Sequence, residues 1–344
     1  MRCVRVEAKI NAKTILSVIA LILAVVTPHL IPEAFVYILG LSFLFIILVV
    51  SWDVMVGYTG QVNLGHTVFV GVGAYTAALL QAPERLQSIG VAIPKAPIFV
   101  SIIFGGIIAA LIGLLIGIIT LRLKGYYFAL VTAILPLVFM QTVFVWRNVF
   151  GGEEGFSIGL ENSLSSSIVG KYYIALIIMV VCVVLMLLIV NSRIGLKFKA
   201  IREDEELAES IGIDTTKYKV IAFVVSSFFA GVGGATIVLY RITVSPDLYD
   251  IPLMLLIILS AVIGGLGTIY GPVFGALIIY LAKNWWLKEI LSNLFKIAPI
   301  PVNDDIILYL ILIVVGVLMP QGIYVELKKR CHEVRLKFEK FSKI

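Results

Sequence analysis

A chain of 344 residues that is 60% hydrophobic and 14% charged, with a mean hydropathy of +1.08, lies far outside the composition of soluble globular domains. An outer-membrane barrel is excluded as well, because uninterrupted apolar runs such as 174–190 stand where a barrel needs short alternating strands. The net charge of +6 does not point to nucleic acid, since the basic residues gather in short connections between apolar runs, where they set orientation.

The expected fold class is therefore all-α, a polytopic integral membrane protein. A helix needs ~17–25 apolar residues to cross the hydrocarbon layer. Runs of this kind fall near 14–30, 34–52, 62–80, 98–121, 126–146, 172–190, 218–240, 253–264, 271–283 and 306–319, about ten transmembrane helices. The basic start (Arg2, Arg5, Lys9, Lys13) followed by an apolar stretch reads as a retained first span, because 25–32 offers no small-x-small cleavage pattern. The eighth and ninth runs are short, which fits two tight crossings, a re-entrant pair or one long broken helix.

Lys and Arg cluster in the first 13 residues, at Arg122 and Lys124, in the connection after the sixth run, and in the tail after Met319. All four clusters share one side if both termini are cytoplasmic. The chain then divides into a basic cytoplasmic N-terminus (1–13), a transmembrane domain (14–319) containing a cytoplasmic loop (191–217), and a basic cytoplasmic tail (320–344). Cys3, Cys182 and Cys331 match neither a disulfide framework nor a metal site. Small residues recur four apart at Gly105, Ala109, Gly113 and Gly117, at Ser227, Gly231 and Ala235, and at Gly267, Gly271 and Gly275, each set predicting a close-packing stripe on one helix face. Pro136 in mid-span predicts a kink.

No phosphate loop, H-E-x-x-H, C-x-x-C or G-x-S-x-G motif is present, so the chain carries no evident engine or hydrolytic centre and no cofactor or metal of its own. The spans hold almost no charge: Asp53 closes the second run and Lys283 the ninth, both within reach of the interface. A pathway lined by neutral polar groups suits an uncharged or zwitterionic solute moved by energy supplied elsewhere. The polar exception is 57–66 (GYTGQVNLGH), where Gln61, Asn63 and His66 stand among glycines at the start of the third run. Amides and freed backbone groups there can bind a solute or a neighbouring helix. With Gly264, Gly267 and Gly271 in the second glycine-rich segment, these are the candidate pathway or gate residues.

The longest cytoplasmic connection places Glu203 to Glu206 in the first turn of a short helix and Gly212 at its stop, with Ile201, Ala208 and Ile211 sharing a face and Leu207 beside them. Glu206-Leu207-Ala208 followed three residues later by Gly212 resembles the E-A-A-x-x-x-G signature of ABC-transporter permeases. More specifically, 57–75 (GYTGQVNLGHTVFVGVGAY), 123–132 (LKGYYFALVT), 151–155 (GGEEG), 193–213, 222–235 (AFVVSSFFAGVGGA), Ser245-Pro246, 264–275 (GGLGTIYGPVFG) and 318–322 (LMPQG) resemble, in order, the LivM-type permeases of branched-chain amino acid ABC importers. The sequence departs from that pattern at Leu207, at the missing Leu-Pro that often closes the signature, and at Phe150 before Gly151.

The resemblance implies a non-enzymatic prokaryotic plasma-membrane permease. Its partners are a second related permease, two cytoplasmic ATPases that bind ATP and Mg, and an extracytoplasmic substrate-binding protein; nucleic acid is not among them. It also implies that Arg202, Glu206, Ala208 and Gly212 lie in the ATPase-coupling loop. Branched-chain or other neutral amino acids are the expected substrates. A urea or short-chain amide importer permease is the alternative, and a secondary carrier or channel for a small neutral solute stands behind it.

Overall fold

The structure is a computed structural model describing residues 22–123 and 125–287, together with Leu310 and Val314. The N-terminal segment 1–13, Lys124, Cys3, Cys331, the tenth predicted span and the basic tail lie outside the described residues, as does the first part of the first span.

The eight predicted runs that fall within the described residues are all helical at their centres. In chain order the main helices among the described residues are α1 (Glu33–Thr59), α2 (His66–Gln81), α3 (Ile98–Thr120), α4 (Tyr126–Val145), α5 (Ile168–Asn191), α6 (Arg193–Glu203), α7 (Glu205–Ser210), α8 (Thr215–Arg241), α9 (Ile251–Gly264) and α10 (Tyr270–Leu281), beside single-turn helices at Glu84–Gln87 and Arg147–Phe150. Five of these, α1, α3, α4, α5 and α8, are long and apolar enough to cross a membrane. Among the described residues one two-residue pairing, β1 (Phe156–Ser157) antiparallel to β2 (Thr243–Val244), ties two connections together at the end of the bundle away from α6 and α7.

α1 and α8 form the centre. Every residue of α1 from Ser42 to Thr59 is buried, as is every residue of α8 from Phe229 to Tyr240. A helix that is apolar all round belongs in the middle of a bundle, and both sequences are. α2 and α3 flank α8, while α5 and the α9–α10 pair flank α1. α3, α4 and α5 turn large apolar side chains outward, among them Phe99, Leu115, Leu130, Ile134, Ile177 and Leu188. Such a surface is suited to hydrocarbon or to another subunit.

Two of the predicted stripes pack against each other. A Cβ built on Gly105 of α3 would come within 2.8 Å of Ala235 Cβ on α8, one on Gly113 within 2.7 Å of Ser227 Cβ, and one on Gly117 within 3.0 Å of Phe223. The third stripe is split: Gly267 stands in a turn with φ +72°, and only Gly271 and Gly275 face α9. Gly271 meets Gly264 and Gly275 meets Ser260, so α9 and α10 form an antiparallel helical hairpin. That arrangement removes the single broken helix from the three readings of this segment. Pro136 is buried inside an α4 that runs on through it.

Helix ends follow local chemistry. α1 continues past its predicted end at Trp52 to Thr59 and stops where Gly60, at φ +75°, donates its N–H to Val56 O at 3.0 Å. α2 starts four residues later than predicted, at His66, because 60–65 is held off the helix. Asn63 Oδ1 accepts the Gly65 N–H (2.9 Å), Asn63 O accepts from Trp52 Nε1 (2.7 Å), and the Leu64 N–H is taken by Thr132 Oγ1 of α4 (3.1 Å).

Candidate functional site

The loop between α5 and α8 folds as two helices rather than one. Ser192 caps α6 by accepting the Ile194 N–H at 3.2 Å. Asp204 then leaves helical geometry (φ −159°, ψ 112°) and caps α7 by accepting the Leu207 N–H at 2.9 Å. The acidic run that the sequence places in one first turn is thereby divided, with Glu203 ending α6 and Glu205 and Glu206 opening α7.

Gly212 stops α7 as predicted. At φ +86° it donates its N–H to Glu209 O (2.9 Å), and the Ile213 N–H reaches back to Ala208 O (3.0 Å), the paired 5→2 and 6→1 bonds of a Schellman end. A side chain in that left-handed geometry costs about 1 kcal/mol. Gly212→Ala is therefore expected to speed hydrogen exchange of the α7 amides about fivefold, and unchanged protection would show that the turn bears no strain.

α6 and α7 are fastened to the bundle on two sides. Towards α8, Lys219 pairs with Glu205, Thr215 Oγ1 donates to Glu209 Oε1 at 2.6 Å, and Lys197 bonds the Tyr218 hydroxyl. Towards α1, Lys199 lies 5.6 Å from the centre of the Tyr58 ring and Arg202 Nη1 donates to the Gly57 carbonyl. Phe198, Ile201 and Ala208 are buried beneath the loop. Glu206, Leu207 (61% exposed) and Ile211 (68% exposed) point away from it. Ile211 thus does not share the inner face with Ile201 and Ala208 as expected. With α7 ending at Ser210, it swings outward beside Leu207 and makes an apolar pair that nothing among the described residues covers.

Arg202 connects this loop to both glycine-rich segments. The Gly57 carbonyl is one of the last of α1, without an intrahelical donor, and a cation there also meets the negative end of the helix. One turn earlier, Asp53 Oδ1 accepts the Gly267 N–H at 2.7 Å, just before the start of α10. A Cβ on Gly57 would collide with Asp53 and sit on the Gly267 nitrogen; one on Gly267 would collide with Arg202 and lie 2.6 Å from Gly57 O. Asp53 is fully buried rather than at an interface, because the hairpin tip covers it.

Of the predicted site residues, the structure brings Arg202 and Gly267 together, with Asp53 and Gly57 between them. Gly264 and Gly271 pack arm to arm inside the hairpin. Asn63 and His66 are wholly enclosed where α1 meets α2; His66 Nε2 is 3.0 Å from Ser51 Oγ, a helix-to-helix hydrogen bond, while His66 Nδ1 and Asn63 Nδ2 have no hydrogen-bond partner. Gln61 is half-buried on the segment beside them. Glu206 lies on the outer face of α7 and Ala208 on the inner one. Sequence reasoning missed the pairing of buried Lys219 with half-buried Glu205, and Asp53 as a link; the signal for the second was a lone carboxylate four residues before Gly57.

Among the described residues no group of three His, Cys, Asp or Glu side chains could hold a metal ion. An open groove of about 450 Å³ runs along the outer side of α4, lined by Leu137, Val138, Gln141, Thr142, Val145 and Trp146. It is borne by one helix and encloses nothing.

Comparison with known proteins matches residues 34–316 to the family described as branched-chain amino acid transport system / permease component. The chain is 26% identical over 291 residues to the high-affinity branched-chain amino acid transport system permease protein LivM of Escherichia coli K12, covering 77% of this chain and 66% of LivM, so the match spans just under two thirds of that relative. The corresponding LivH protein of Salmonella typhimurium is 24% identical over 290 residues, covering 80% of this chain and 90% of LivH. The nucleoside ABC transporter permease protein NupC of Lactococcus lactis subsp. cremoris matches at 24% over 188 residues, 51% of this chain and 58% of NupC. No solved structure matches. With the family model covering α1 to α10 and beyond, the chain belongs to the branched-chain amino acid transport system permease components.

Proposed function

We propose that this chain is the transmembrane permease subunit of a prokaryotic ABC importer that moves branched-chain amino acids across the plasma membrane, driven by ATP hydrolysis in partner subunits. The observation that carries the reading is α7: a helix clamped to α8 from behind, with Glu206, Leu207 and Ile211 presented outward at the end of the bundle that carries the basic loop. A rigidly mounted apolar pair edged by a carboxylate is a surface on which a cytoplasmic ATPase can seat. The family, and the names of LivM and LivH, support the substrate class.

In this reading the orientation is about ten crossings with both termini cytoplasmic, and lipid meets the apolar outer faces of α3 to α5. A second related permease completes the pathway, two ATPases bind ATP and Mg, and an extracytoplasmic binding protein delivers the solute. Nucleotide closes the ATPases, α6 and α7 move with them, and the bundle alternates between outward and inward access. The segments around Gly57 and Gly264 serve as pathway or gate, with Gln61, Asn63 and His66 on the first and Gly267 and Gly271 on the second.

The test is co-purification followed by reconstitution of the complex in proteoliposomes. Radiolabelled leucine, isoleucine, valine, urea and uridine are offered, the last because of the NupC match. ATP-dependent uptake of the three amino acids, indifferent to ion gradients, is expected. Uptake of urea or uridine instead would reassign the substrate. Transport by the isolated chain without ATPases, following an ion gradient, would overturn the permease reading.

A further inference from the structure

The contacts at the tip of the α9–α10 hairpin say how motion of the docking loop reaches the interior. Arg202, the penultimate residue of α6, donates to the carbonyl of Gly57 at the end of α1, and the Gly57 backbone rests directly against Gly267 at the hairpin tip. Asp53, one turn back along α1, holds the Gly267 N–H at 2.7 Å. The charges match the helix ends they meet: the guanidinium lies at the C-terminal end of α1, and the carboxylate lies before the N-terminal end of α10. A Cβ on either glycine would meet backbone atoms of the other, so between Gly57 and Gly267 no side chain intervenes to absorb a displacement.

Elsewhere the contacts that hold the docking loop run to α8 or to the surface of α1, through Lys219, Thr215, Tyr218 and Tyr58. Arg202 bonds a group, the Gly57 carbonyl, that itself touches the hairpin tip. A shift of α6 of the kind that repacks helix interfaces in switching proteins, once it exceeds what the Arg202 side chain can follow, either breaks the Arg202 bond or carries Gly57 and Gly267 with it.

We propose that Arg202 and Asp53 are positioning residues that form a two-point latch, Arg202 to Gly57 and Asp53 to Gly267, by which movement of the ATPase-docking loop is delivered to the hairpin tip. The proposal rests on reading 191–217 as that loop. It assigns Arg202 an inward, transmitting role, distinct from the outward docking face of Glu206, Leu207 and Ile211.

The experiment uses the complete complex, with partner permease, both ATPases and binding protein, in proteoliposomes, and reads ATP hydrolysed per radiolabelled leucine imported. Arg202→Ala is expected to keep the ATPases bound and to raise that ratio about fivefold or more, the lower range of allosteric couplings. Arg202→Lys keeps a donor for the single carbonyl and should bring the ratio back towards wild type. At the second point, Asp53→Asn retains an acceptor for the Gly267 N–H and should stay close to wild type, whereas Asp53→Ala should uncouple. An unchanged ratio in both alanine variants, a parallel fall of hydrolysis and uptake, or loss of the ATPases from the Arg202→Ala complex would each overturn the latch. If the wild-type chain binds no ATPase, the permease reading fails and takes the latch with it; if the wild-type complex imports leucine and Arg202→Ala keeps its stoichiometry, the latch alone fails.

Discussion

Gly73→Ala is expected to destabilise the folded chain by about 3 kcal/mol or more, and Gly73→Val to abolish recovery of folded protein, because α2 and α8 touch through backbone at this point. A Cβ on Gly73 would overlap the Cα and carbonyl of Gly231, and one on Gly234 would overlap the carbonyl of Val70, so the two helices meet twice along the same seam. No rotamer relieves either clash, since the atoms in the way belong to the main chain. Gly231 is pinned from the other side as well, where a Cβ would lie 2.7 Å from Gly105 O on α3. Helices in membranes gain little from apolar burial and depend on such close approach, so parting this three-helix seam removes the main attraction among α2, α3 and α8. Gly117→Ala is the comparison: its Cβ would stand 3.0 Å from Phe223 Cδ1, a side-chain atom that can yield, and a loss of about 1 kcal/mol is expected. Thermal unfolding in detergent, followed by size-exclusion chromatography, measures both. Equal midpoints for Gly73→Ala and Gly117→Ala would refute the backbone-contact account.

The stripes that make this seam were readable in the sequence, but their pairing was not. Four-residue spacing gives a face to each helix, and only the fold shows that the α3 face at Gly105 to Gly117 meets the α8 face at Ser227 to Ala235. Helix positions among the described residues were legible because apolar runs of this length have few other uses in a chain this hydrophobic, and five of those helices are long and apolar enough to cross a membrane. Span ends were less so, since a run counted by hydropathy stops at the first charge. Asp53 marked the end of the second run, yet α1 continues to Thr59 with Asp53 buried under the hairpin tip, where the Gly267 N–H donates to one of its carboxylate oxygens.

The same cause hid the link between the two glycine-rich segments. Gly57 and Gly267 are 210 residues apart in the chain and were read as separate elements, and no local pattern states that Arg202 lies between them. In the loop between α5 and α8, Gly212 was legible as a stop because a left-handed turn demands it, whereas the break at Asp204 was masked by the acidic residues around it. Asp204 is the one of that run whose side chain caps α7.

Glu205→Ala is expected to cost on the order of 3 kcal/mol, and Lys219→Met markedly less, although the two changes break the same ion pair. The asymmetry comes from burial: the Lys219 side chain is 4% exposed and that of Glu205 29%. Removing Glu205 strands an ammonium inside the bundle with no counter-ion, while removing Lys219 frees a carboxylate that already reaches water. The double variant Glu205→Leu/Lys219→Met should recover most of the loss, since an apolar pair of similar volume replaces a buried ion pair at little cost. Stability alone does not complete the argument, because Glu205 is also one of two ties holding α7 to α8, the other being Thr215 to Glu209 at 2.6 Å. Glu205→Ala should therefore speed exchange of the α7 amides more than those of α6, which keeps its own contacts to Tyr58, Gly57 and Tyr218. It should also weaken retention of ATPases during purification, as the outward face of Leu207 and Ile211 loses its fixed mounting. The apolar double variant separates the two effects. If stability returns while ATPase retention does not, the charge pair sets the angle of α7. If both return, Glu205 and Lys219 hold α7 in place and do nothing more. Equal costs for Glu205→Ala and Lys219→Met would show that the ammonium finds water, and the buried-pair account would fall.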